Sequence, residues 1–174
     1  SNGSSDGDWA DYSATGGVSV TLNSATLVTA TNDFGDDSIV NIEHIEGSAL
    51  GDDSIVGDSL ANTLLGAGGD DSLSGAGGND SLSGGTGDDM LIAGDGTDRV
   101  DGGTGSDTLD YSAINSGATG ISVTLNEGTV ASVTNTLGDD SINNVENIIG
   151  SDSASASDSI VGDSLANHLQ GLSG

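Results

Sequence analysis

Aspartate recurs at a fixed spacing through the centre of this chain. Cut into nine-residue units, the run reads SALGDDSIV (48–56), GDSLANTLL (57–65), GAGGDDSLS (66–74), GAGGNDSLS (75–83), GGTGDDMLI (84–92), AGDGTDRVD (93–101) and GGTGSDTLD (102–110). The sixth position holds Asp53, Asp71, Asp80, Asp89, Asp98 and Asp107, with Asn62 in the second unit. Carboxylates gathered at such spacing repel one another, and the chain cannot neutralise them. It carries 28 Asp and Glu against a single basic residue, for a net charge of -27. A cation must therefore enter any fold that stacks them. Carboxylate and carbonyl oxygens form the ligand set of a hard divalent ion, and Ca²⁺, tolerant of irregular shells, suits a flexible turn better than strictly octahedral Mg²⁺. With no Cys and only two His, a zinc site is disfavoured.

The units also dictate the elements that place these side chains. The first half of each is Gly-rich and can turn tightly with positive φ. The second half is a three-residue piece centred on one aliphatic residue: Ile55, Leu64, Leu73, Leu82, Leu91, Val100 or Leu109. Such a piece is too short for a helix and fits a short strand with one inward side chain. Turn and strand in alternation predict a flattened parallel coil, two units to a turn of 18 residues. Residues 18 apart then lie above one another. One edge stacks Asp53, Asp71, Asp89 and Asp107, and the other stacks Asn62, Asp80 and Asp98. A solvated acidic linker has no reason to hold an aliphatic residue at every ninth position.

The pattern G-G-x-G-x-D-x-U-x, with U a large aliphatic residue, resembles the RTX calcium-binding nonapeptide repeat. The resemblance implies a parallel β-roll in which each Ca²⁺ lies between two turns on one edge. Its ligands would be the Asp side chains of both turns, with carbonyls of positions two and four from one turn and one and three from the next. On this sequence it implies ions between Asp53 and Asp71, Asp71 and Asp89, Asp89 and Asp107, and Asp80 and Asp98, about four in the central roll. The carbonyls would be those of Ala67, Gly69, Gly84 and Thr86; of Gly85, Gly87, Gly102 and Thr104; and of Ala76, Gly78, Ala93 and Asp95. Asn62 supplies less charge, and Leu60 replaces the fourth-position Gly of its unit, which weakens an Asn62/Asp80 site.

A longer duplication flanks the units. Asp11–Asn23 matches Asp110–Asn126, Gly35–Ser48 matches Gly138–Ser151, and Asp53–Gly66 matches Asp158–Gly171. The flanks resemble segments that interrupt RTX arrays in large secreted bacterial proteins. The expected organisation is a flanking β segment over 1–47, the nonapeptide roll over 48–110, a second flanking copy over 111–157, and the start of a further roll over 158–174. Val18, Val20 and Leu22 alternate with polar residues as in a half-buried strand, as do Ile121, Val123 and Leu125. Leu27–Thr31 and Val130–Thr134 are candidate partner strands. Ile39, Ile42 and Ile45 recur every third residue, which admits a helix, but the neighbouring Gly and Asn favour coil turns. On that reading the 16 residues from Ile39 to Ile55 approximate one turn. Asp158 and Asn167 correspond to Asp53 and Asn62, Asp37 and Asp140 to turn carboxylates, and the adjacent Asp36, Asp52, Asp70, Asp88 and Asp139 face water.

The fold class expected is therefore all-β, a parallel β-roll or β-helix solenoid with strand-bearing flanks. Nucleic acid and anionic membrane surfaces are excluded as partners by the lack of Lys and Arg. No G-x-S-x-G elbow or H-E-x-x-H motif occurs, and His44 and His168 lack counterparts in the duplicate copies, so no enzyme activity is expected. The function expected is a calcium-binding module that folds on binding Ca²⁺ outside the cell. It would serve as a structural or adhesive repeat of a large secreted or cell-surface protein exported by type I secretion, with neighbouring repeats stacked end to end. The alternative is an accessory module of a secreted enzyme such as a protease, lipase or alginate epimerase.

Overall fold

Short strands and tight turns account for the whole architecture. The computed structural model describes residues 8–172 apart from 15, 24–25, 27, 34, 114–119, 127–130, 136–137 and 154–156. Among the described residues there are eighteen strands and no helix. Each of the seven units ends in a strand around its aliphatic residue: β6 (Ser54–Val56), β7 (Thr63–Gly68), β8 (Ser72–Ser74), β9 (Ser81–Thr86), β10 (Met90–Ile92), β11 (Arg99–Thr104) and β12 (Thr108–Asp110). Successive strands alternate between two nine-stranded sheets. Even-numbered strands of this run pair in one sheet and odd-numbered ones in the other, all in parallel. The register is 18 residues: Ile55, Leu73, Leu91 and Leu109 stand beside one another in one sheet, and Leu64, Leu82 and Val100 in the other. All seven are 0–1 % exposed and form the spine of the core. The surrounding turns are built mainly of small and polar residues, so this spine is one residue thick per strand.

The flanks depart from a wholly parallel coil. β2 (Val18–Thr21), β3 (Val28–Asn32) and β4 (Gly35–Ile39) form an antiparallel meander attached through β2 to β6. Its duplicate is β13 (Ser122–Thr124), β14 (Ala131–Thr134) and β15 (Asp139–Asn143), attached through β13 to β17 (Ser159–Val161). The expected partner strands are present as β3 and β14, although Leu27 and Val130 lie outside the described residues. Both sheets are consequently mixed. The Ile39-to-Ile55 turn does not form: Ile39 lies opposite Val28, while Ile55 pairs with Val20. A chain that doubles back uses up the residues that a coil turn would need. The remaining strands, β1 (Trp9–Asp11), β5 (His44–Glu46), β16 (Asn147–Ile149) and β18 (His168–Gln170), extend the parallel ladders. The two meanders sit in opposite sheets, because an odd number of alternations separates the copies.

Candidate metal centres

The sixth-position carboxylates are buried in the turns, in a chain whose single Lys or Arg is Arg99. Asp53, Asp71, Asp80, Asp89, Asp98 and Asp107 are each at most 3 % exposed. One oxygen of each has a defined task. Asp71 Oδ1 accepts the N–H of Asp53, Asp89 Oδ1 that of Asp71, and Asp107 Oδ1 that of Asp89, at 2.8–2.9 Å. On the other edge Asp80 Oδ1 accepts from Asn62 and Asp98 Oδ1 from Asp80. Each turn is thus capped by the carboxylate 18 residues on. The second oxygen, Oδ2, of Asp71, Asp80, Asp89, Asp98 and Asp107 is buried without any hydrogen-bond partner. An unpartnered buried charge is strongly unfavourable. Burial first, with neighbouring carboxylates adding, pushes Asp71 and Asp80 up to about 7 and Asp107 up to about 6. Asp89 and Asp98 are raised for the same leading reason.

Four of the five orphaned oxygens, those of Asp71, Asp80, Asp89 and Asp107, lie beside glycines whose missing side chain leaves the place open. A Cβ on Gly66 would meet Asp71 Oδ2 and the carbonyl of Gly84 in the next turn. The same trio recurs as Gly84, Asp89 and the Gly102 carbonyl, and as Gly75, Asp80 and the Ala93 carbonyl. Carbonyls approach from the lower turn as well. Those of Ala67 and Gly69 abut Gly85 and Gly87, those of Gly85 and Gly87 abut Gly103 and Gly105, and those of Ala76 and Gly78 abut Gly94 and Gly96. From above, the carbonyls of Thr86, Thr104 and Asp95 point back and accept the N–H groups of Gly69, Gly87 and Gly78. Carbonyls of positions two and four of one turn thus stand close to the backbone of the next, and those of position three bond back to the turn below. Ala67 and Ala76 hold φ of 79° and 72°, a left-handed conformation that alanine adopts only at a cost.

Several positions behave differently. Both oxygens of Asp53 are engaged, by the N–H groups of Val18 and Ser48 at 2.6 Å. Asp158, its duplicate, accepts from the Ile121 N–H and the Ser151 hydroxyl. Asn62 accepts the Asp58 N–H through Oδ1, and its Nδ2 is buried with no partner, so an amide donor stands where other units aim an acceptor. Asp37 and Asp140 lie in strands β4 and β15 rather than turns. Asp37 is exposed, whereas Asp140 is buried, accepts the Asp98 N–H, and receives the Tyr111 O–H at 2.8 Å. Burial pushes Asp140 up to about 6. The adjacent acids Asp36, Asp52, Asp70, Asp88 and Asp139 face water as expected. Three of them also have an unforeseen role: Asp52, Asp70 and Asp88 accept N–H groups of Asp70, Asp88 and Ser106 in a second, exposed ladder. Glu146 was missed by the nine-residue alignment. It accepts the Asp107 N–H at 2.9 Å and takes the place of the next Asp in the column. The available signal was the spacing Glu146-x-Ile148, which matches the Asp-x-aliphatic step of the units.

No cluster of three or more His, Cys, Asp or Glu side chains able to hold a metal occurs among the described residues. Each gap offers at most two carboxylates, so main-chain carbonyls must complete any shell, which is a Ca²⁺-type donor set. The buried, unpartnered oxygens and the open glycine cradles fit such an ion. Residues 49–82 and 74–109 match the family model of the RTX calcium-binding nonapeptide repeat (4 copies). The chain over 49–109 thus carries RTX repeats and is a calcium-binding repeat module. No curated protein matches the chain.

Proposed function

We propose that this chain is a calcium-dependent parallel β-roll whose folding is coupled to ion binding, and that it works without catalysis. The observation that supports it is the row of buried Oδ2 atoms on Asp71, Asp80, Asp89, Asp98 and Asp107, which have no protein partner. Ions would be held between Asp71 and Asp89 by the carbonyls of Ala67, Gly69, Gly84 and Thr86. Between Asp89 and Asp107 they would be held by those of Gly85, Gly87, Gly102 and Thr104, and between Asp80 and Asp98 by those of Ala76, Gly78, Ala93 and Asp95. The Asp53/Asp71 gap is the fourth and weaker one, since Asp53 already has two N–H donors. Asn62 and Asp158 belong to weaker positions for the reasons given above.

The bound ion supplies the positive charge that this sequence lacks. With it, binding free energy becomes folding free energy. Without it, a spine one residue thick does not offset chain entropy. A site of modest affinity, ~10⁻⁴–10⁻³ M for extracellular modules, is filled outside a cell and empty in the cytosol. RTX repeats typically occur in secreted proteins, which supports extracellular folding after type I export. The internal duplication favours a structural or adhesive repeat of a large surface protein over an accessory module of a secreted enzyme. Circular dichroism during a Ca²⁺ titration tests the coupling. The expected result is a disordered chain in excess chelator that gains β signal cooperatively with Ca²⁺; a fully β-structured chain in chelator overturns it.

A further inference from the structure

The carboxylate column does not end with the last nonapeptide. Leu109 pairs with Ile148 across β12 and β16, so the residue two places before each, Asp107 and Glu146, stand in register. Asp107 is 0 % exposed. Its Oδ1 is used by Asp89, and its Oδ2 is buried without a partner. That Oδ2 lies in the cradle of Gly102, where a Cβ would also meet the carbonyl of Asn144. Asn144 takes the place that Gly84 and Gly102 hold in the turns below. It does so with φ of 48°, a left-handed conformation that asparagine tolerates better than most residues. The backbone is fastened at the same point, since the N–H groups of Glu146 and Asn147 both donate to the Asp107 carbonyl.

The first copy repeats the arrangement. Asp8, Asn41 and Glu43 are the counterparts of Asp107, Asn144 and Glu146. Glu43 accepts the Asp8 N–H at 2.8 Å, the N–H groups of Glu43 and His44 both donate to the Asp8 carbonyl, and Asn41 has φ of 53°. Gly3, the counterpart of Gly102, lies outside the described residues. The opposite edge at the same level differs, although Asp98 Oδ2 is likewise buried without a partner. There the cradle position is occupied by the methyl of Ala93, and Asp140 Oδ2 is occupied by the Tyr111 hydroxyl.

We propose that Asp107, Glu146 and the Asn144 carbonyl form a further divalent-cation site, which fastens the flanking segment to the end of the nonapeptide array. This deepens the calcium reading above and rests on it. The ion belongs to the junction, with one carboxylate from the repeat and one from outside it, and water completes the shell of a hard cation. The flank is then ordered by the same ion supply as the roll.

Isothermal calorimetry with Ca²⁺ on the whole chain, with stoichiometry as the readout, decides the matter. Glu146→Gln keeps the acceptor for the Asp107 N–H but removes the charge, and is expected to bind one ion fewer than the parent. Gly102→Ala places a methyl against the Asn144 carbonyl and Asp107 Oδ2, leaves both carboxylates, and is expected to lose the same ion. If the parent binds several ions and both variants retain full stoichiometry and affinity, the junction site is refuted while the calcium reading stands. If the parent binds no Ca²⁺, the underlying reading itself falls. Should Glu146→Gln fail to fold in excess Ca²⁺, the count for Gly102→Ala decides alone.

Discussion

Replacing Asp71 by Asn should stabilise this protein without calcium and weaken it with calcium. The two oxygens of Asp71 have separable roles: Oδ1 caps the Asp53 N–H, and Oδ2 is buried with no partner. Asn is isosteric, keeps one acceptor and removes the charge. Asp71 is pushed from 3.8 up to about 7, so at pH 8 the folded, metal-free protein holds the ionised form at a penalty of roughly 4 kcal/mol as an upper bound. Asn62 shows what the amide costs in return: its Nδ2 is buried without a partner, a penalty of about 1–3 kcal/mol. The net gain for metal-free Asp71→Asn is about 1–3 kcal/mol. With Ca²⁺ the sign reverses, because Asp71 borders two gaps and the variant loses a charged ligand at each. We expect at least a tenfold weaker apparent affinity, or about 1.4 kcal/mol. Folding forced by a protecting osmolyte in excess chelator, followed by circular dichroism, reads the first effect. The Ca²⁺ midpoint of the same signal reads the second. If Asp71→Asn is destabilised to the same extent in chelator and in calcium, the carboxylate is only a turn cap, and the reasoning fails.

Three further outcomes follow from the same geometry. Between about pH 4 and 7 the folded metal-free state holds more protons than the unfolded chain on Asp71 and Asp80, and over a narrower range on Asp107 and Asp140; its stability therefore falls as pH rises through that window. Ca²⁺ must displace those protons, so potentiometry should record proton release on binding near pH 6, with apparent affinity falling as pH drops, up to tenfold per pH unit for each proton displaced. Ala67→Gly and Ala76→Gly should each raise the stability of the calcium-loaded form by about 1 kcal/mol in urea titrations, by relieving left-handed alanine; a loss of stability would show that the alanine methyl groups matter more than the turn.

The nonapeptide region was legible in the sequence because one short rule governs it. Every eighth-position aliphatic lies in the spine and every sixth-position Asp lies in a turn, since an 18-residue period leaves no other way to bury one apolar residue per strand. The flanks were harder to read. Alternation at Val18 and Val20 marks a strand but not its direction, and nothing local in Gly35–Ile39 distinguishes a coil turn from a strand that doubles back onto Thr29 and Ala30. Asp140 looked like a turn ligand because Gly-Asp-Asp precedes an aliphatic residue. Its actual role depends on Tyr111, 29 residues away, which no periodicity reveals. Glu146 escaped because it follows the Asp-x-aliphatic step with one extra methylene and no glycine turn before it.

The placement of the meanders governs curvature. From β15 to β17 one sheet counts three strand spacings, while the other, from β16 to β18, counts one. Each spacing is about 4.8 Å, so the meander is a wedge about 10 Å taller on one side. From β4 to β6 the same wedge is driven into the opposite sheet. Copies that always thickened the same face would bend a tandem array steadily into an arc. Copies that alternate, as these two do, would set successive wedges in opposite sheets, so in a tandem array their tilts would offset in pairs.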